Sequence, residues 1–201
     1  LAYHHKTLYI AMAGTHQLWS MNLEDGQVGP YAGSGQESIT DGPLATATLA
    51  QPSGITTDGD RLYFADSETS AIRWAELNPS GRVQTIVGLD LFVFGDVDGS
   101  EHQVRLQHPT GITIHDGIIY IADTYNHKVK QVLPMTRSVL TLFGAGTAGC
   151  QDGVGPLAMF SEPSGVSFAN GLLYIADNNN HLVRVADLET KQVSTLVIAG
   201  L

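Results

Sequence analysis

Cysteine is all but missing: Cys150 is the only one among 201 residues. No disulfide can form within the chain, which suits a reducing compartment, here expected to be the cytoplasm. Cys150 stands in a glycine-rich stretch, where an incidental thiol is expected over a nucleophile. Positive charge is also scarce. Ten Lys and Arg face twenty Asp and Glu, for a net charge of -10, and the ten are scattered. Neutralising phosphates takes clustered basic residues, which argues against nucleic acid as a partner. No apolar run approaches the roughly 18 residues of a membrane-crossing helix, so no membrane association is expected. Catalytic and cofactor signatures are missing too: there is no Cys-x-x-Cys, Gly-x-Ser-x-Gly elbow, Walker loop or dinucleotide fingerprint. Gly33-Ser34-Gly35 and Gly144-Ala145-Gly146 leave strand patterns and do not open helices, which argues against a phosphate cradle. No cofactor and no metal are expected.

What the chain has in quantity is glycine, 22 residues, and a 43% apolar content, the make-up of a packed protein with many tight turns. It also repeats itself. Residues 171–184 read Gly-Leu-Leu-Tyr-Ile-Ala-Asp-Asn-Asn-Asn-His-Leu-Val-Arg. Residues 118–130 give Ile-Ile-Tyr-Ile-Ala-Asp-Thr-Tyr-Asn-His-Lys-Val-Lys, and residues 61–73 give Arg-Leu-Tyr-Phe-Ala-Asp-Ser-Glu-Thr-Ser-Ala-Ile-Arg. A worn copy begins at Thr7. Tyr9, Tyr63, Tyr120 and Tyr174 mark the period, about 54 to 57 residues, a length that signals a propeller or a solenoid.

Each full repeat reads as four short strands. In the third, strands are expected over 111–114, 118–122, 128–133 and 139–143, with Asp116-Gly117 as a two-residue hairpin turn. Asn170-Gly171 and Asp58-Gly59 fill the same role in the fourth and second repeats, whose last strands are expected over 193–197 and 83–87. Evenly spaced short strands mean an all-β fold, and four antiparallel strands per repeat mean propeller blades. The blades are expected at about 1–33, 49–88, 106–144 and 160–201 of a single propeller region. Long connections, 33–49, 88–106 and 144–160, join them, and each carries an Asp-Gly pair before closing on Pro-Ser-Gly or Pro-Thr-Gly. In an up-down-up-down blade, the turn between the second and third strands emerges on the same face as these connections. That loop-rich face is where function is expected.

Asn180-His181-Leu182, with Asn126-His127-Lys128 and the decayed Thr69-Ser70-Ala71 and Thr15-His16-Gln17, resembles the NHL repeat. Longer stretches, residues 11–19, 91–99 and 106–109, resemble the proteins that join a thioredoxin-like domain to an NHL propeller. The resemblance covers essentially the whole chain. It implies a six-bladed propeller of which these residues supply the last four blades. No residue here matches a redox motif, so redox activity is not carried over.

Four sets of residues invite a chemical role. Asp66, Asp123 and Asp177 end the second strand of successive blades and could ring a cation or act as acid and base. Repetition in each blade favours structure, each Asp accepting N–H bonds in its own turn, since a catalytic residue is needed once. His127 and His181 read as turn and packing residues by the same logic. Asp96-x-Asp98-Gly99-x-Glu101 is similar to a small calcium loop but lacks the order of an EF-hand, and a solvated Asp-Gly turn is expected. Leu91, Phe92 and Phe94 lie in a connection and do not repeat. They are the leading partner-binding candidates, with Tyr125 and Asn179 in turns of the same face. The expected function is a non-enzymatic scaffold for protein partners, with self-association as one way to close the propeller. Two alternatives stay open: a metal-dependent propeller hydrolase or lyase with a site in the central channel, and the accessory propeller of a thioredoxin-like redox protein.

Overall fold

Runs of about six residues rich in β-branched and aromatic side chains, separated by Asp-Gly, Asn-Gly and Asp-x-x-Asn turns, form short antiparallel strands. The computed structural model describes residues 1–197; the end of the expected last blade, 198–201, lies outside the described residues. Blade 1 is β1 (Ala2–His4), β2 (Thr7–Met12), β3 (Gln17–Asn22) and β4 (Val28–Ala32). Blade 2 is β5 (Gly42–Pro43), β6 (Pro52–Thr57), β7 (Arg61–Asp66), β8 (Ala71–Glu76) and β9 (Arg82–Val87). Blade 3 is β10 (Gly99–Ser100), β11 (Pro109–His115), β12 (Ile118–Asp123), β13 (Lys128–Leu133) and β14 (Ser138–Phe143). Blade 4 is β15 (Gly153–Val154), β16 (Pro163–Ala169), β17 (Leu172–Asp177), β18 (Leu182–Asp187) and β19 (Gln192–Thr195). Within each sheet the four long strands pair in chain order, all antiparallel. The architecture is the all-β propeller arrangement that the repeat predicts.

Two local features differ from the sequence reading. Each long connection adds a two-residue strand, β5, β10 or β15, to the outer edge of the blade it leads into. Two residues are too few to leave a periodic signal. The β6–β7 turn is also longer than two residues. Asp58 accepts hydrogen bonds from the amides of Asp60 and Arg61 and from the Tyr63 hydroxyl, so 58–60 forms a three-residue loop. The two Gly-containing hairpins of blades 3 and 4 do have both central residues at positive φ, Asp116-Gly117 and Asn170-Gly171.

The apolar core lies between blades, not within them. Leu18 and Ala32 of blade 1 meet Ile55, Leu62 and Phe64 of blade 2, with Ala47 and Leu49 of the connection wedged between. The seam of blades 2 and 3 repeats this with Ile72 and Val87, then Ile119 and Ile121, then Val104 and Leu106. At the seam of blades 3 and 4 the wedge is Ala158 and Phe160, against Val129 and Phe143. The innermost strands β1, β6, β11 and β16 stand side by side in that order. No fourth cluster joins blade 4 to blade 1 among the described residues.

Candidate interaction face

On the loop-rich face each of blades 2 to 4 carries a buried ion pair. Arg73, Lys130 and Arg184 occupy one position of the third strand and are fully buried, as are Asp66, Asp123 and Asp177 at the end of the second strand. Arg73 Nη1 lies 2.7 Å from Asp66 Oδ2, Lys130 Nζ 3.2 Å from Asp123 Oδ2, and Arg184 Nη1 2.8 Å from Asp177 Oδ2. Each cation also reaches into the connection. Arg73 binds Asp41 at 3.0 Å and Arg184 binds Asp152 at 2.7 Å; Lys130 binds Asp96 at 2.7 Å and Asp98 at 3.2 Å. The other Asp oxygen accepts an amide N–H from the lead-in to its own blade: Ala50 to Asp66, Gln107 to Asp123, Ser161 to Asp177, all at 2.7 Å.

The backbone N–H that each carboxylate accepts therefore comes from a segment 16 residues upstream and not from its own turn, which corrects that part of the local reading of Asp66, Asp123 and Asp177. The turn contributes a side-chain amide, Asn126 to Asp123 and Asn180 to Asp177. Burial pushes the Asp66 carboxyl up, to about 6, against the pull of Arg73, and pushes Asp123 up against Lys130. Blade 1 has Met12 and Trp19 at the two positions, so both partners of the pair are replaced together. A lone buried charge is far costlier than an apolar pair, which accounts for the joint replacement.

The Asp-Gly pairs of the connections are anchors as well. Asp41, Asp98 and Asp152 each accept from the backbone N–H and the hydroxyl of a threonine on the outer strand, Thr85, Thr141 and Thr195. The expected solvated turn at 96–101 is instead a cation clamp, with Asp96 paired to Lys128 and Lys130. Burial pushes the Asp96 carboxyl up, but the two ammonium groups outweigh it and hold the group below the usual carboxylate range. Its folded value is depressed, so its contribution to stability is present above the ordinary carboxylate range and is lost as pH falls through the folded value. A carboxyl-carbon NMR titration is expected to show Asp96 ionised below the ordinary range, and shifted upward in Lys130→Met. Titration of wild-type Asp96 at the ordinary value would sink this account of the clamp.

Asn and His of the repeated turn have separate tasks. Asn126 donates to Asp123 and to the Gly95 carbonyl, and Asn180 does the same to Asp177 and Gly149, so each joins the ion pair to its connection. The following His16, His127 and His181 are left-handed, with φ of 54°, 54° and 56°. His16 Nδ1 accepts the Gln51 amide and His127 Nδ1 the Glu162 amide, while Ser70 in blade 2 accepts the His108 amide. Each donor immediately precedes the proline that opens the innermost long strand of the next blade, Pro52, Pro109 or Pro163. Among the described residues no three His, Cys, Asp or Glu converge as a metal site would need.

The non-repeating residues gather at the seam of blades 2 and 3. Between its leading glycine and its Asp-Gly pair, the second connection is two residues longer, Gly88 to Asp98 against Gly33 to Asp41 and Gly144 to Asp152. Within this longer stretch stand Leu91, Phe92 and Phe94. With Tyr125, His108, Gln107, Glu68 and Ser70 they line a groove of about 200 Å³. Tyr125 stacks on His108, centroids 4.8 Å apart and planes 9° from parallel. Phe92 is 85% exposed, Phe94 57% and Tyr125 49%. Glu68 and Tyr125 hold the same repeat position in adjacent blades, and each amide bonds its own lead-in, to Ala50 and Gln107. Asn179 holds that position in blade 4, bonded to Ser161, outside this groove.

The family model for the NHL repeat matches residues 106–132 and 160–186, the two copies in which both the Asn bridge and the His are present. The chain is built of NHL repeats. Its NHL propeller is 43% identical over 207 residues to "Protein SUPPRESSOR OF QUENCHING 1, chloroplastic" of Arabidopsis thaliana, covering 96% of this chain and 20% of that protein. It is 41% identical over 217 residues to the human "NHL repeat-containing protein 2", covering 95% of this chain and 30% of the relative. Among solved structures, a Bacteroides thetaiotaomicron protein of unknown function superposes with a TM-score of 0.67 at 18% identity, covering 94% of this chain and 43% of that one. A chain of the nidogen/laminin complex superposes with a TM-score of 0.53 at 17% identity, covering 96% and 76%. At those identities the likeness shows the NHL propeller's fold alone. The strand-three cations were the functional groups that sequence reasoning missed. Their signal was present, as Arg73, Lys130 and Arg184 recur at the repeat period.

Proposed function

We propose that this propeller is a non-enzymatic scaffold that binds protein partners through its loop-rich face, with the groove over the seam of blades 2 and 3 receiving an apolar or aromatic side chain. The observation that carries the reading is the exposure of Phe92, 85%, and Phe94, 57%, beside a groove of about 200 Å³. Exposed aromatics beside a formed pocket are characteristic of binding hot spots. Glu68 and His108, 3.9 Å apart at one side, supply a polar rim. The compartment we read from the lone free cysteine is the cytoplasm, although one relative is named as chloroplastic.

The test is a comparison of wild type with F92S/F94S. Both side chains are exposed, so the change is expected to leave the stability within the range of surface substitutions, roughly ±0.5 kcal/mol, and the melting temperature nearly unmoved. Partner capture in quantitative cross-linking is expected to fall at least tenfold. An unchanged partner set with a lowered melting temperature is the outcome that removes this reading, because it makes the aromatics structural.

A further inference from the structure

The ten Lys and Arg are distributed unevenly over the surface of the propeller. Lys6, Arg61, Arg82, Arg137 and Lys191 stand in or beside the short hairpins β1–β2, β6–β7, β8–β9, β13–β14 and β18–β19, all on the face opposite the long connections. The other five lie on the third strands and in the second connection, and each is already engaged. Arg73, Lys130 and Arg184 are fully buried in their ion pairs. The Lys128 side chain is 17% exposed and clamped to Asp96, and Arg105 Nη1 donates to the carbonyls of His102 and Val104. Among the described residues, no Lys or Arg offers its charge freely on the loop-rich face.

Two carboxylates beside the aromatic groove are left without such a cation. The Glu68 side chain lines the groove and is 42% exposed, and its one paired group among the described residues is His108 Nδ1, 3.9 Å away and beyond hydrogen-bond length. Asp90 is exposed and immediately precedes Leu91. Its Oδ1 accepts the Leu91 amide at 2.7 Å, and no partner is described for Oδ2. Both stand on ordered backbone: the Glu68 amide donates to the Ala50 carbonyl at 3.1 Å, and the Val93 amide to the Asp90 carbonyl at 3.3 Å. The groove therefore joins fixed negative charge to the exposed rings of Phe92, Phe94 and Tyr125. Carboxylates attract a cation, and ring faces favour one as well.

We infer that the partner segment this groove receives is basic: Lys or Arg residues flank the apolar or aromatic side chain that enters it, and they meet Glu68 and Asp90. The inference rests on the groove being the docking site proposed above and names the chemistry of its occupant. An acidic segment would bring like charges to the same two carboxylates and is turned away. The flanking pairs stay wet at the rim, so they act on encounter rate and choice of partner more than on depth of binding.

Two probe peptides, Gly-Lys-Phe-Arg-Gly and Gly-Ser-Phe-Ser-Gly, titrated into the isotope-labelled chain and followed by NMR at the amides of Phe92, Phe94 and Tyr125, test the inference. At low ionic strength the basic peptide is expected to bind about fivefold more tightly than the neutral one, and about 500 mM salt is expected to remove that preference. Glu68→Gln is expected to halve the preference roughly. Glu189→Gln removes an exposed charge from the opposite face and is expected to leave it intact. F92S/F94S is expected to weaken both peptides about tenfold or more. Equal affinity of wild type for the two peptides, or an equal effect of Glu68→Gln and Glu189→Gln, overturns the inference and leaves the groove reading standing. A basic peptide that binds F92S/F94S as it binds wild type overturns the groove reading and this inference with it, as does the absence of a saturable shift with either peptide.

Discussion

Arg73→Met is expected to destabilise the propeller by about 3–5 kcal/mol, whereas the double variant Asp66→Met/Arg73→Trp is expected to recover most of that loss. The single change leaves Asp66 fully buried with its strongest partner gone. Burial already pushes that carboxyl up to about 6 with Arg73 in place, so without the guanidinium it takes a proton, which softens the loss without abolishing it. Three further hydrogen bonds go with the side chain, to Thr48, Thr40 and Asp41, and with them the grip on the first connection. The double variant reproduces the Met12 and Trp19 of blade 1, where the same strand geometry stands on an apolar pair. Chemical denaturation of wild type, single and double variants decides the matter. A double variant no more stable than Arg73→Met would show that the pair cannot be exchanged as a unit.

Phe160→Ala is expected to cost a similar amount, about 3–5 kcal/mol, through the cavity it opens at the seam of blades 3 and 4. The ring is fully buried among Val129, Phe143 and Ala158, and the Arg184 guanidinium carbon lies 5.3 Å from its centroid. Phe160→Leu separates packing from identity. Leu49 and Leu106 fill the same wedge at the other seams, so leucine is expected to lose no more than about 1.5 kcal/mol. Equal losses for Ala and Leu in thermal unfolding would mean that the wedge needs an aromatic ring here, and that the three seams are not equivalent.

The period and the turn residues made the blades legible, because strand spacing and Asp-Gly turns act over a few residues. The ion pairs were harder to see. In Lys128-Val129-Lys130, alternation suggests one face in water and one in the core, yet both Val129 and Lys130 are fully buried. Blades pack on both faces, so alternation no longer separates inside from outside. The amides that Asp66, Asp123 and Asp177 accept lie 16 residues back, beyond the reach of any local turn pattern. Leu91, Phe92, Phe94 and Tyr125 could be picked out because they interrupt the repeat. Glu68 and His108 could not, since they join the groove only when two blades meet. Asn179 shares Tyr125's repeat position and lies a blade away.

The wedged seams also set an order of assembly. All the side chains of the first core fall between Ala2 and Val83, so blades 1 and 2 can bury their shared surface before blade 3 exists on the ribosome. The second core spans Tyr63 to Val139 and the third Ile118 to Val193. Each new blade meets a finished template on one side, and the newest flank always waits, apolar and open, for the sequence still to be translated.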